Sequence, residues 1–158
     1  MINRNCFLSV AVAVLFFSGC SGEERPADMP LLVPFEITLT AEGAPVENAG
    51  VTLHSTTPDF KWVVGGFTDA RGRATIATQG RYLGVPEGEY AVTVEKTESE
   101  QYDPENPPPT VRFYTYTKPE YNDPEQTPLK VNVTRRNRSE TLDVGKLEKS
   151  VLRVTPTN

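Results

Sequence analysis

Cysteine is nearly absent: Cys6 and Cys20 are the only two, and they flank an apolar run at the amino terminus. Everything after Cys20 therefore lacks a disulfide, a thiol nucleophile and a cysteine metal ligand, and must be held by burial and strand pairing. Histidine is scarcer still. His54 stands alone, so Ser-His-Asp triads and two-histidine zinc sites have no partner, and it reads as a surface or edge-strand side chain. Positive charge is short as well. The formal net charge is −5, or −6 when the segment before Cys20, with its lone Arg4, is set aside, and such a balance disfavours nucleic acid. Finally, no stretch after residue 30 keeps apolar residues at helical spacing, whereas 14 prolines and 11 glycines suit strands and turns.

What is present begins with a secretory signal. Met1–Asn5 is polar with one positive charge, Cys6–Phe17 is almost wholly apolar but short for a membrane span, and small residues follow. Phe17-Ser18-Gly19-Cys20 resembles the bacterial lipobox, although Phe17 stands where that motif usually has Leu. The resemblance implies removal of residues 1–19, a diacylglyceryl thioether on Cys20 and acylation, such as palmitoylation, of the new amino group. Ser21 rather than Asp after the cysteine implies the outer membrane. Residues 20–34 are polar and proline-bearing, and read as a tether reaching ~40 Å when extended.

From residue 35 the pattern is β. Phe35-Glu36-Ile37-Thr38-Leu39-Thr40 alternates strictly, and Val51 and Leu53 continue the inward set on a second strand. A third strand is expected over Trp62–Phe67, where Gly65-Gly66 marks a bulge or close backbone approach. Asp69-Ala70-Arg71-Gly72 is a tight turn with glycine free to take positive φ, and Pro86-Glu87-Gly88 repeats the logic. Alternating runs follow each turn, Arg73–Thr78 and Tyr90–Val94. Val111–Lys118 is a strand within a long excursion from Lys96 to Pro128; it places Val111 and Phe113 on one face, Tyr114 and Tyr116 on the other. Leu129–Val133 and Glu140–Val144 are expected as the last two strands, joined at a solvated basic hairpin tip, Arg135–Arg138. Val151–Val154 can add an edge strand.

These motifs, in order, resemble the carboxypeptidase regulatory-like domains, which are transthyretin-like sandwiches. Gly43-Ala44-Pro45-Val46 with Ala49-Gly50-Val51, then Thr68-Asp69-Ala70-Arg71-Gly72, then Pro86-Glu87-Gly88-Glu89-Tyr90-Ala91-Val92-Thr93-Val94 carry the likeness. Lys118-Pro119-Glu120-Tyr121-Asn122-Asp123-Pro124 through Leu129 resembles a stretch of bacterial lipoproteins of this kind. Ala74 stands where the family pattern has Phe. The resemblance implies an all-β, seven-stranded Greek-key β-sandwich over residues 35–147, with 148–158 as a tail, and an accessory role without catalytic residues or cofactor.

Tyr102, Tyr114, Tyr116, Tyr121 and Trp62 are the candidate binding surface, an aromatic platform for an envelope protein or a glycan. Tyrosines beside prolines also commonly cap a sandwich end, and the cap is the favoured reading of this set, with the platform the first place to look for binding. Asp103, Glu105, Asp123 and Glu125 match no calcium-loop spacing and read as turn carboxylates, so no metal is expected. Hydroxyisourate hydrolase shares the transthyretin fold but needs several histidines and a Tyr-Arg-Gly-Ser terminus, against one histidine and Thr155-Pro156-Thr157-Asn158 here. A pilin-like domain with an isopeptide lock needs a first-strand lysine, which Phe35–Thr40 lacks. The expected function is that of a lipid-anchored, non-catalytic structural or binding module of the bacterial envelope.

Overall fold

The computed structural model describes residues 25–100, 105 and 108–156. The signal sequence, Cys20, Tyr102 and Asp103 lie outside the described residues. The strands in chain order are β1 (Leu32–Val33), β2 (Glu36–Ala41), β3 (Ala44–Pro45), β4 (Gly50–Ser55) and β5 (Val64–Phe67). Next come β6 (Arg73–Thr75), β7 (Ala77–Thr78), β8 (Tyr82–Leu83), β9 (Val85–Pro86) and β10 (Gly88–Glu95). The last are β11 (Thr97–Ser99), β12 (Thr110–Thr115), β13 (Lys130–Val133), β14 (Ser139–Asp143) and β15 (Ser150–Pro156). The only helical element among the described residues is a 3-10 turn at Pro119–Asn122.

Two sheets face each other, as the alternation predicts. One has the order β13-β10-β4-β5-β7-β8; the other is β14-β2-β3, with β6 also paired to β2. Period-two patterning turns Ile37 and Leu39 of β2 inward, and Val51 and Leu53 of β4 meet them with Val92 and Val94 of β10. Each such side chain, essentially removed from water, contributes about 1.5–3 kcal/mol. Tyr90 is the largest fully buried side chain; its hydroxyl donates to the Pro86 carbonyl at 2.8 Å, and its ring meets Phe60 edge-on at 5.8 Å. Burial of that phenol pushes its pKa up to about 12. The buried hydroxyls of Thr78 and Thr127 donate to the carbonyls of Gly84 and Val92 at 2.8 and 2.7 Å, so neither is left unpaired.

The Asp69 turn forms as its chemistry dictates. One carboxylate oxygen accepts the amides of Arg71 and Arg73 at 2.8 and 2.9 Å, and Gly72 takes φ 73°. A Cβ at Gly72 would lie 2.5 Å from the Leu39 carbonyl, so glycine is required twice over.

Several elements differ from the sequence expectation. The sheets are built from more and shorter segments than seven, because some runs divide. Arg73–Thr78 is not one strand: β6 pairs with β2 and β7 with β5, and fully buried Ile76 bridges the two sheets, its amide bonded to the Phe35 carbonyl. Strand β5 begins at Val64, two residues later than expected. The Arg135–Arg138 turn is not a hairpin tip, because β13 pairs antiparallel with β10 while β14 pairs parallel with β2; the turn carries the chain from one sheet to the other. The excursion folds into a separate three-stranded sheet, β11-β12-β15, whose last strand is the expected edge strand. Residues counted as tether are also partly docked: β1 pairs with β9, Met29 and Val33 are buried, and Asp28 pairs with Lys61.

Candidate functional site

An exposed apolar surface lies on the outer face of the six-stranded sheet, and its shape follows from strand phase. Within Val64-Gly65-Gly66-Phe67, Val64 points into the core and Phe67 points out, 80% exposed. Gly65, between them, has no room for a side chain, since a Cβ would lie 2.5 Å from the Val51 carbonyl. The register then lines up Leu83, Ala77, Gly65, Thr52 and Thr93 across five adjacent strands. Small residues in the middle of that row leave a trough. Phe67, Val63 and Leu83 stand over it, with Val63 and Leu83 65% and 73% exposed.

The trough encloses about 470 Å³. A second hollow of about 350 Å³ shares Gly50, Thr52 and Phe67 with it and adds Asn48, Thr93, Glu95 and Asn122. Among the described residues Glu95 is the only ionisable side chain lining either one. Such a surface can take a ligand with one apolar face and a hydroxyl- or amide-bearing edge, held by contact area and a few rim hydrogen bonds.

His54 sits on β4, a central strand rather than an edge. It is half-buried, its Nε2 is 2.9 Å from the Thr93 hydroxyl, and desolvation lowers its pKa.

The sequence-derived aromatic set is distributed. Tyr121 is buried in the core by the 3-10 turn. Trp62 is half-buried against the core, with the Lys61 ammonium 5.1 Å from its ring. Tyr114 and Tyr116 come together on the three-stranded sheet, where Lys149 lies 3.9 Å from the first ring and 6.0 Å from the second. The Tyr116 hydroxyl donates to Glu98 at 2.6 Å, which lowers the carboxylate pKa and raises that of the phenol, while Tyr114 donates to Glu100 at 3.3 Å. These two rings are already engaged within the chain. Tyr102, the fifth member, lies outside the described residues.

Asp123 behaves as a turn residue. Its carboxylate accepts the amide of Glu125 at 2.8 Å and the side chain of Gln126. Among the described residues no three histidine, cysteine or acidic side chains converge as a metal site would need. Sequence reasoning missed Phe67, Val63 and Leu83. The available signal was phase: a strand Val-Gly-Gly-Phe with valine inside must hold phenylalanine outside. The chain matches no family model, no curated protein and no solved structure.

Proposed function

We propose that this chain is a lipid-anchored, non-catalytic binding module of the bacterial envelope, a carboxypeptidase regulatory-like sandwich fastened through Cys20. The observation that carries the binding part is the trough: three large apolar side chains held out in water around a floor of glycine, alanine and threonine on central strands. The Phe67 ring covers only its cross-strand partner Gly50 and leaves most of its surface in water beside Val63 and Leu83, a clustered apolar patch for which a partner's contact is the physical rationale. The anchoring part rests on the lipobox-like Phe17-Ser18-Gly19-Cys20 at the end of a signal-like apolar run. The partner class is an envelope glycan or protein presenting an apolar face. Tyr114 and Tyr116 are the runner-up surface, and Lys149 would have to leave them first.

The test is retention of envelope glycans and proteins on the immobilised domain, comparing Phe67→Ser with the double variant Tyr114→Ala/Tyr116→Ala. Loss with Phe67→Ser alone is expected, at unchanged melting temperature. Loss with the tyrosine pair alone would move the site to the three-stranded sheet. Anchoring is read separately, from the intact mass of detergent-extracted protein, which should carry acyl chains that Cys20→Ala lacks.

A further inference from the structure

We infer that one end of the sandwich, built from Pro30–Leu31, the Phe60–Trp62 segment and the Arg135–Arg138 turn, rests on the bilayer that holds the Cys20 acyl chains. The inference depends on the anchoring proposed above and concerns what the anchored domain then touches. Its occupant is a phospholipid surface.

The first ground is the length of free chain. The amino-terminal segment is docked from Asp28 onward: Asp28 pairs with Lys61, Met29 is buried, and Leu32–Val33 forms a ladder with Val85–Pro86. Eight Cα steps separate Cys20 from Asp28, so the leash spans at most about 29 Å, short of the ~40 Å available to an undocked tether. A domain of this size has a radius of gyration of about 14 Å, hence a breadth near 35 Å. A leash shorter than the domain is broad keeps the docked end nearest the lipid.

The second ground is what that end presents. Pro30 and Leu31 line one groove of about 370 Å³ with Phe60, Pro86, Glu87 and Arg135. Leu31 is 72% exposed, an aliphatic side chain placed to enter the interfacial region. Two acidic groups there are already matched, Glu87 with Arg135 at 3.6 Å and Asp28 with Lys61. Arg136 and Arg138 are exposed and form no ion pair among the described residues; the Arg138 Nε donates to the Arg135 carbonyl at 3.0 Å, and the remaining guanidinium N–H groups of both can meet lipid phosphates. Asp59 and Glu89 also lie near this end and moderate its charge, as do Glu23 and Glu24 of the leash, so apolar contact and tethering are the main contributions. Strand β2 runs from this end, where the Glu36 amide meets the Arg138 carbonyl, to the far end at Ala41 and Ala44, about 20 Å away.

Acylated full-length protein carrying Leu31→Cys, whose Cys20 thiol is already blocked, is labelled at residue 31 with an environment-sensitive fluorophore. It is then reconstituted into phosphatidylethanolamine–phosphatidylglycerol vesicles. Ala44→Cys at the far end is the control. The expected result is an emission gain at residue 31, quenched by head-group spin-labelled lipid and lost when a glycine-serine spacer is inserted after Ser21, with no change at residue 44. In the protein with Leu31 intact, quenching of Trp62, the only tryptophan, should follow the same order. Equal responses at 31 and 44, or indifference to the spacer, in a protein shown by mass to be acylated and vesicle-bound overturns the orientation and leaves the anchor standing. Absence of acyl chains, or vesicle binding undiminished by Cys20→Ala, overturns the anchoring and the orientation together.

Discussion

At the scale of single residues, His54 shows how a side chain with no visible chemistry can still be measured. It is partly desolvated on β4, so its folded-state pKa lies below the ordinary 6.5. The unfolded chain then binds the proton more readily. Stability from this group is full above about pH 6.5 and is lost as pH falls from there through the lowered folded value, with no further loss below it. Chemical denaturation from pH 8 down to pH 5.5 should show this decline, and His54→Gln should flatten it; an unchanged slope would mean that other groups carry it. Individual aromatics also explain what was and was not legible in the sequence. Tyr90 alternates with Val92 and Val94 and is found buried beside them. Tyr121 offers no period to read, because it sits on a 3-10 turn, and it is found lying against β10 rather than on a platform.

Elements carry the next set of constraints. Strands β2, β4 and β10 were readable because each has water on one side and core on the other, which writes a two-residue period into the sequence. Arg73–Thr78 has the same period, yet it divides, since a run that changes sheets at Ile76 keeps its inward residues while exchanging its partners. Alternation reports which face is buried and is silent about which strand is adjacent. The basic turn was misjudged for the same reason: two strands in succession suggest a hairpin, and only tertiary pairing reveals that β13 and β14 belong to opposite sheets. The Asp69–Gly72 turn, by contrast, is specified locally. Gly72→Ala should destabilise by more than about 1 kcal/mol in urea titration, because its φ of 73° and the Leu39 carbonyl at 2.5 Å both oppose a Cβ. Ala at Gly80, also at positive φ but with nothing within 4 Å, should cost less.

Across the whole molecule, the sandwich includes part of what composition alone assigns to a linker. Polar residues and prolines around Met29 hide two buried side chains and a short ladder, and nothing periodic announces them. A chain beginning at Phe35 should lose roughly 3 kcal/mol relative to one beginning at Arg25, mainly from Met29 and Val33 becoming unavailable for burial, and calorimetry of the two would measure the difference. The trough was equally hidden, because its floor is made by small residues of β4, β5 and β7 that only the complete sheet brings into line. Architecture was therefore readable one segment at a time, whereas the concave surface exists only after assembly.

The parallel pairing of β2 with β14 ties together stretches about a hundred residues apart, from Glu36 opposite Ser139 to Thr40 opposite Asp143. A nascent polypeptide threading a secretion pore amino end first would hold one flank of β2 vacant until β14 emerges. Under the export proposed above, closure would fall at the end of passage, and the sandwich would stay unfinished, and threadable, until β14 is through.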